Sequence, residues 1–372
     1  MIPKRRRLGL VINPLAGIGG RVGLKGSDGA ETVREAFALG AEPQAQGRAA
    51  ETLRQLAPLR DSVEIVTYPA EMGADQAVAC GFESTVVGTI KSGATTGEDT
   101  RRAARELLEM EVELLLFVGG DGTARDIYEA VGESLPVLGV PAGVKMHSSV
   151  YATSPRRAGD LVRDYVAGHA PARAMEVMDI DEEQFRAGNV SAKLYGYLSI
   201  PFEPKLLQGA KSASRSGAGD LAWLARYVAE QVDDDCHTIL GPGTTLRAVA
   251  KELGVDKTLL GVDVVLRRAL IARDVNELGL LRIVKGNRCR IIVTVIGGQG
   301  FILGRGNQQL SPRVIRAVGH ENLIVIATVD KLVGLNCPLR VDTGDSELDY
   351  ELSGYRRVIT GYGEESIWQV AV

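Results

Sequence analysis

The stretch Glu113-Leu-Leu-Leu-Phe-Val118 runs directly into Gly119-Gly120-Asp121-Gly122-Thr123, and this junction decides the fold. An apolar run without polar alternation is typical of a strand buried on both faces of a parallel sheet. The glycines end the strand, and apolar residues at helical spacing follow at Ile127, Tyr128 and Val131. We therefore predict a strand, a glycine loop and a helix, in that order.

The residues around this junction repeat the alternation of strand and helix. A helix is predicted near residues 98–110, because Thr95 and Glu98 have the spacing of a capping box. Further strands are predicted over residues 8–12, 63–68, 85–90 and 135–140. This alternation predicts an α/β fold whose N-terminal part is a Rossmann-like parallel sheet covered by helices on both faces.

Three glycine-bearing loops follow strands of this predicted sheet, at residues 13–20, 119–123 and 141–145. In parallel sheets the loops after the carboxyl ends of the strands build the ligand site. We therefore expect these three loops to converge on one ligand.

The sequence changes character in its second half. Two longer strands, over residues 174–180 and 191–200, predict an antiparallel region, after which strand and helix patterns alternate again. We predict an N-terminal α/β nucleotide-binding domain over 1–155 and a C-terminal domain of mixed β-rich and α/β character over 156–372. An alternative division makes residues 236–330 a distinct α/β lobe.

The composition is that of a globular protein with a sizeable core, since 45% of the residues are hydrophobic and 24% are charged. The net charge of −4 excludes a general attraction to nucleic acid or to an acidic membrane. The four cysteines form no CxxC pair, so neither a disulfide scaffold nor a zinc site is expected. We expect a cytoplasmic protein that binds small molecules, contacts neither nucleic acid nor membrane, and forms a homo-oligomer, a dimer or a tetramer.

The pentapeptide at residues 119–123 carries the sharpest chemical signal. Its glycines let the backbone approach a polyphosphate and offer it N–H groups, and the following helix adds the positive end of its dipole. Asp121 could accept the proton of an attacking hydroxyl or organise a magnesium ion. The alternative is a strand-to-helix turn in which Asp121 caps the helix.

The pentapeptide resembles the hallmark shared by NAD kinases, diacylglycerol and sphingosine kinases, and 6-phosphofructokinases. Asn13-Pro14-Leu15-Ala16-Gly17 resembles the first nucleotide-side loop of the NAD kinase and lipid kinase branches. Together with Gly139-Val-Pro141-Ala-Gly143-Val-Lys145-Met-His147-Ser, the pattern is similar to the ATP-NAD kinase-like family over about residues 8–155.

This resemblance implies a kinase that transfers the γ-phosphate of ATP to the 2′-hydroxyl of the adenosine ribose of NAD, with magnesium. Asp121 would act as general base or position the hydroxyl, and the amides of 119–123 would hold pyrophosphate or triphosphate. No residue is assigned as a metal ligand. The residues that would flank the nucleotide are Asn13, Pro14, Gly17, Gly19 and Gly20.

Two departures from the NAD kinase pattern leave the substrate open. NAD kinases carry an Asn-Glu pair that helps to hold the adenosine ribose, but Asn276-Glu277 lies in a segment of helical pattern and is not assigned this role. Their C-terminal half is largely a β-sandwich, whereas this one contains α/β stretches. The alternatives are a kinase of another hydroxyl, in a lipid, sugar or nucleoside, and a non-catalytic sensor that binds NAD or another nucleotide.

Two further clusters are candidate phosphate contacts. Gly143, Lys145 and His147 follow a predicted strand, and Lys145 could pair with phosphate as a point charge. Arg305 lies in a glycine-rich stretch and could clamp phosphate. The alternatives are ordinary polar residues at a helix start for the first cluster and an exposed hairpin for the second.

The loop Gly241-Pro242-Gly243-Thr244-Thr245 is a third candidate, with Gly243, Thr244 and Thr245 as its binding residues. With Asp263 it resembles the sugar-phosphate-binding loop of pentose-phosphate isomerase-like folds, and its hydroxyls and amides suit an anion at a helix N-terminus. The alternative is a Pro-Gly turn capped by threonine.

Overall fold

The computed structural model describes residues 5–24, 29–144, 146–180, 192–208, 218–335 and 337–372. These residues divide into two compact units. Unit 1 contains the described residues within 1–18, 26–33 and 42–210, and unit 2 contains those within 19–25, 34–41 and 211–372. The domain boundary at residue 155 and the separate lobe over 236–330 stay predictions.

Unit 1 is built on a parallel sheet. Its strands are β1 (Arg6–Ile12), β2 (Val63–Thr67), β3 (Ser84–Val86), β4 (Leu114–Gly119) and β5 (Val137–Pro141). In space they follow the order β3-β2-β1-β4-β5. All six residues of β4 are buried, which confirms the interpretation of the apolar run before the pentapeptide.

The strand order of this sheet reverses between its two central strands, β1 and β4. β1 and β4 pair with each other, with Leu8 opposite Leu114, while β2 pairs on the far side of β1 and β5 on the far side of β4. This reversal of strand order is a topological switch point. In open parallel sheets ligands bind outside the carboxyl ends of the strands at such a point.

Helices alternate with these strands. They are α1 (Ala30–Ala38), α2 (Ala45–Gln55), α3 (Ala74–Ala79), α4 (Gly97–Glu109), α5 (Asp121–Val131) and α6 (Pro155–Val166). The helix predicted after the pentapeptide is therefore confirmed as α5.

The capping box of α4 lies one residue later than the predicted Thr95 and Glu98. Thr96 has the extended backbone of an N-cap residue, and its N–H and hydroxyl both donate to the carboxylate of Asp99, at 2.9 and 3.0 Å. Glu98 instead forms an ion pair with Arg101. The predicted pair was wrong because two adjacent threonines each have an acidic residue three positions later.

The predicted antiparallel region is confirmed. β6 (Ala172–Ile180) and β7 (Ala192–Pro201) form an antiparallel pair. β7 lies against α5 so closely that a Cβ added to Gly196 would be 2.2 Å from the ring of Tyr128. The strand pair therefore supports the helix that begins at the pentapeptide.

Unit 2 is built on a mixed sheet. Its strands are β8 (His237–Leu240), β9 (Asp263–Leu266), β10 (Ala269–Ala272), β11 (Cys289–Thr294), β12 (Phe301–Leu303), β13 (Leu323–Ile326), β14 (Leu339–Val341), β15 (Gly354–Ile359) and β16 (Glu365–Ala371). Their order is β10-β9-β8-β11-β13-β15-β16-β14-β12. The accompanying helices are α7 (Ala218–Glu230), α8 (Thr244–Glu252), α9 (Glu277–Val284), α10 (Pro312–Val318), α11 (Val329–Val333) and α12 (Ser346–Leu352).

The central strands of unit 2 are buried on both faces. Ile291 packs into one apolar cluster and the next residue, Ile292, into another, and Val325 and Ile326 divide in the same way. Successive strand side chains point to opposite faces, so each strand contributes to two cores. The mixed α/β character predicted for the C-terminal part is confirmed.

Gly139 allows a close packing contact that can be tested. A Cβ at this position in β5 would lie 2.4 Å from Cδ1 of Tyr151 and 2.9 Å from Cζ of Phe117. We expect Gly139→Ala to lower the free energy of unfolding by about 1–3 kcal/mol, the usual effect of overpacking a core. Urea denaturation monitored by circular dichroism measures the change.

Gly47 provides the control. It lies in α2 with nothing within 4 Å of an added Cβ, so Gly47→Ala should raise the free energy of unfolding by about 0.5–1 kcal/mol. Equal unfolding midpoints for the two variants would contradict the packing argument.

Candidate functional site

The loop after β1 is bonded to the loop after β4. The backbone N–H of Asn13 donates to the carbonyl of Val118 at 3.0 Å, and its Nδ2 donates to Oγ1 of Thr123 at 2.9 Å. Its Oδ1 accepts from the N–H of Leu15 at 3.1 Å. Asn13 thus joins the first predicted loop to the pentapeptide.

Glycines bring the third loop into backbone contact with the other two. Gly17 has a φ of +72°, and a Cβ there would lie 2.0 Å from the carbonyl oxygen of Ala142. A Cβ on Gly143 would lie 2.7 Å from Cα of Gly120. The carbonyl of Gly119 accepts from the amides of Ala142 and Gly143, at 2.9 and 3.1 Å. Asn13, Gly17, the pentapeptide and Gly143 therefore lie together, as the sequence predicts.

Asp121 is the first residue of α5 and is 6% exposed. Its Oδ2 accepts from the backbone N–H of His147 at 2.6 Å, and its Oδ1 accepts from the N–H of Ser148 at 3.1 Å. The carboxylate is thus directed at the loop after β5 rather than at the amides of its own helix. It fixes that loop relative to the start of α5.

The imidazole of His147 lies beside this carboxylate. Its Nδ1 is 3.3 Å from Oδ2 of Asp121, and the residue is 4% exposed. Nε2 is buried and has no hydrogen-bond partner among the described residues. Lys145, the other charged residue assigned to this loop, lies outside the described residues.

Three residues that the sequence analysis did not assign complete the arrangement. The hydroxyl of Tyr151 donates to the carbonyl of Gly120 at 2.6 Å, and Ser148 Oγ donates to the carbonyl of Met178 at 2.8 Å. Nε2 of Gln208 lies 3.4 Å from the carbonyls of Met146 and Ser148. No local pattern marks these contacts, because each partner pair is at least thirty residues apart.

The start of α5 is suited to an anion. Gly120 is the N-cap and supplies no side-chain cap for the first turn. Amides at the start of a helix, together with the positive end of its dipole, bind phosphate groups well. The backbone of Gly122 and Thr123 lies in this first turn.

The remaining residues assigned to the first loop lie on both sides of a unit boundary. Pro14 is buried in unit 1. Gly19 and Gly20 belong to unit 2, where their carbonyls accept from the amides of Leu24 and Gly23, at 2.9 and 3.3 Å.

Unit 2 contains the other predicted loops. Gly243 precedes α8, which begins at Thr244, and the N–H of Gly243 donates to the carbonyl of Leu259 at 2.8 Å. Thr245 is buried. Asp263 does not bond to this loop in any described contact, since it accepts from Thr258 and from the N–H of Asp274. The anion site predicted at 243–245 stays a prediction.

Arg305 is buried rather than in an exposed hairpin. It is 3% exposed, its Nη1 lies 2.5 Å from Oδ2 of Asp342, and its guanidinium stacks 4.4 Å from the ring centre of Phe301. These contacts neutralise its charge within unit 2. Its role as a phosphate clamp stays a prediction.

Asn276 and Glu277 make contacts with neighbouring helical segments. Asn276 is the N-cap of α9 and accepts from the N–H of Gly279 at 2.9 Å. Glu277 is buried and accepts from the hydroxyl of Ser311 at 2.5 Å.

The described residues contain neither a membrane-spanning helix nor a cluster of metal-binding side chains. None of their helices is long and apolar enough to cross a membrane. No three His, Cys, Asp or Glu side chains of this part of the chain gather where they could hold a metal ion.

A parallel α/β unit with glycine loops and a helix N-terminus at its switch point defines the class, a protein whose site suits a phosphate group. Residues 8–170 match the model of the ATP-NAD kinase N-terminal domain, and residues 233–370 match that of the ATP-NAD kinase C-terminal domain. The chain belongs to the ATP-NAD kinase family.

Comparison with solved structures gives weaker similarities. A proposed diacylglycerol kinase from Bacillus anthracis str. Sterne is 15% identical, with 48% of this chain and 43% of that chain covered and a TM-score of 0.24. A further diacylglycerol kinase structure from that organism is 14% identical, with 51% and 62% covered and a TM-score of 0.22. A UDP-N-acetylglucosamine 2-epimerase is 10% identical, with 94% and 86% covered and a TM-score of 0.24.

The chain spans less than two thirds of the length of these diacylglycerol kinase structures. A comparison with the curated proteins gave no match.

Asp126, one turn beyond the pentapeptide, has a different environment from Asp121. It is buried, and it forms an ion pair with Arg101. Burial raises its pKa to about 6, although the positive charge of Arg101 acts in the opposite direction. The folded state therefore holds a proton on Asp126 at a pH where the unfolded chain has lost it.

This shift predicts a pH dependence of stability. Because the folded pKa lies above the ordinary value of 3.8, the contribution of Asp126 is fully present below pH 3.8 and is lost as the pH rises through about 6. We expect Asp126→Asn to remove this decline from the free energy of unfolding, which urea denaturation at a series of pH values measures. An unchanged pH profile would contradict the raised pKa.

Proposed function

We propose that this protein is an ATP-dependent kinase that phosphorylates the 2′-hydroxyl of NAD to give NADP. The observation that carries the proposal is the junction at Asp121, where a helix N-terminus, three glycine loops and a carboxylate meet at the switch point of a parallel sheet. Membership of the ATP-NAD kinase family supports the choice of reaction.

Each loop has a separate role in the proposed binding of the nucleotide. The amides of Gly119, Gly120, Gly122 and Thr123 would hold the phosphates of the nucleotide, and the residues of the first loop, Asn13, Pro14, Gly17, Gly19 and Gly20, would flank it. Asp121 acts as general base or positions the acceptor hydroxyl. Gly143, Lys145 and His147 would contact the same phosphates. Within unit 2, residues 243–245 and Arg305 are separate candidates for phosphate contact.

Catalysis in this proposal depends mainly on alignment. Phosphoryl transfer requires little covalent chemistry from the protein, so holding donor and acceptor in line supplies much of the rate enhancement. The contacts that fix the three loops to one another serve that purpose, because a loop held by backbone bonds needs no reorganisation when the nucleotide binds.

Magnesium fits this site as a partner of the nucleotide. The described residues contain no cluster of acidic side chains that could hold the ion by itself, and magnesium in kinase sites takes ligands from substrate phosphates and water. When bound, it supplies neutralisation of the charge on the transferred phosphate. The protein's part is to hold the phosphates with the amides of 119–123.

One observation favours a different acceptor as the second candidate. Asn276 and Glu277 hold the start of α9 through hydrogen bonds with Gly279 and Ser311, and neither is assigned the ribose contact of the NAD kinase pattern. A kinase of another hydroxyl, in a lipid, a sugar or a nucleoside, and a non-catalytic sensor of NAD or another nucleotide are the alternatives. The proposal includes a cytoplasmic location and a homo-oligomeric state, a dimer or a tetramer.

The first experiment measures NADP formed from NAD, ATP and magnesium by the purified protein, and then by Asp121→Asn. The variant replaces one acceptor oxygen by an NH₂ group that faces a backbone N–H, so it misplaces both the carboxylate and the loop. We expect its turnover to fall by about 10²–10⁴-fold.

Asp126→Asn is the matched control, since it changes a buried aspartate of the same helix that does not contact the loop after β5 in any described bond. It should keep most of the turnover. Near-normal turnover by Asp121→Asn would overturn the role of Asp121. NADP formation absent from the wild type, with another alcohol phosphorylated instead, would overturn NAD as the acceptor.

A further inference from the structure

The mixed sheet of unit 2 contains a switch point of its own. From β8 the chain continues outward to β9 and β10, and it then returns to β11, which lies on the other side of β8 and leads on to β13 and β15. β8, β11 and β13 are parallel to one another. The carboxyl ends of β8 and β11 therefore flank the kind of crevice in which sheets of this type bind ligands.

The start of α8 lies beside the end of β11 at this crevice. Gly243, the N-cap of α8, has a φ of +114° and no side chain that could cap the first turn. A Cβ on Gly243 would lie 3.2 Å from Cγ2 of Thr294, the last residue of β11. The amides of the first turn and the positive end of the helix dipole favour an anion at this point.

A cation is held at the same strand end. Lys331, a half-buried residue of α11, donates from Nζ to Oγ1 of Thr294 at 3.3 Å. A lysine ammonium is a point charge that pairs well with phosphate. Because Oγ1 of Thr294 accepts this bond, its own proton can be donated to a ligand.

Thr328 provides an independent indication of a ligand. It follows β13 and is 2% exposed, and no described residue bonds to its buried Oγ1. Ile326, two residues earlier, is paired with Thr294 and packs in the apolar cluster that contains Leu246 of α8. Side chains alternate along an extended chain, so Thr328 lies on the same face of the sheet as Ile326, the face that α8 covers. Buried hydroxyls are nearly always hydrogen-bonded, so a partner from outside the chain fits here.

We propose that unit 2 binds the phosphate group of a second ligand at this switch point, between the first turn of α8 and the side chains of Thr294, Thr328 and Lys331. The amides and the two hydroxyls donate to the phosphate oxygens, and the ammonium neutralises their charge. The ligand is free phosphate or a phosphate monoester of a small organic molecule. This site goes beyond the proposed kinase function and does not depend on the phosphorylation of NAD.

Protein labelled with ¹⁵N-threonine tests the site directly by NMR. The amides of Thr244 and Thr245 report on unit 2 and the amide of Thr123 on the pentapeptide, and the variants Thr123→Ser, Thr244→Ser and Thr245→Ser assign the three signals. We expect inorganic phosphate and glycerol 3-phosphate, each added at constant ionic strength, to shift the signals of Thr244 and Thr245. Signals that neither compound moves would overturn the site. The signal of Thr123 tests the phosphate loop of the proposed kinase in the same spectrum, so each proposal can fail without the other.

The two probes also separate the two sources of phosphate. Equal affinities would identify free phosphate as a sufficient ligand, whereas tighter binding of glycerol 3-phosphate would identify a phosphate monoester. Both results support the site.

Substitutions separate the site from general charge and from stability. Lys331→Gln should weaken phosphate binding by about 10–100-fold, the usual effect of losing a hydrogen bond to a charged group. Lys251→Gln removes the same charge from the last turn of α8 and should keep the wild-type affinity. Wild-type affinity in Lys331→Gln, or an equal loss in both variants, would overturn the proposal.

Thr328→Val tests the buried hydroxyl. Because no described bond is lost, the thermal unfolding midpoint without phosphate should stay unchanged or rise, while phosphate binding weakens. A lower midpoint combined with wild-type phosphate affinity would show that the hydroxyl serves the fold and would overturn its place in the site.

Discussion

The hydrogen bonds from the backbone of His147 and Ser148 to the buried carboxylate of Asp121 hold this site together. A carboxylate removed from water is costly unless donors compensate it, and each hydrogen bond to a charged group contributes about 1.5–3 kcal/mol. The two amides come from a single loop, so the loop after β5 and the start of α5 are fixed as one body. Tyr151 adds a bond from the same segment to the carbonyl of Gly120.

Glycine makes this arrangement possible for a steric reason. The three loops meet backbone to backbone, and any side chain on Gly17, Gly120 or Gly143 would enter a neighbouring loop. Close backbone packing therefore fixes the main-chain amides of these loops relative to one another. A site of rigid amides suits a reaction that depends on alignment and on the stabilisation of phosphate charge.

Some of this could be predicted from the sequence, because β4, the pentapeptide and α5 follow one another within about twenty residues and each has a local pattern. The convergence of the three loops also followed from the general behaviour of parallel sheets. The capping box was predicted one residue too early, because Thr95 and Thr96 both have an acidic residue three positions later. β15 was not predicted because four of its six residues are exposed or polar, so its apolar pattern is weak.

The contacts of Tyr151, Ser148 and Gln208 could not be predicted, since they depend on tertiary packing between distant segments. The same limit applies to the glycine-rich loops of unit 2. A glycine loop with a charged residue has the same sequence pattern whether it binds phosphate or packs against its own core. Only the tertiary partners of the charged group separate the two cases.

The tertiary partners of the charged groups in the glycine loops differ between the two units. Arg305 forms an ion pair with Asp342, and its guanidinium stacks on the ring of Phe301. Asp263 accepts hydrogen bonds from Thr258 and from the amide of Asp274, and it forms an ion pair with Lys257. Removing one member of such a buried pair would leave the other uncompensated, so these contacts contribute to the stability of unit 2. At the pentapeptide the amides of His147 and Ser148 both donate to Asp121, and no residue that the structure describes donates to Nε2 of His147.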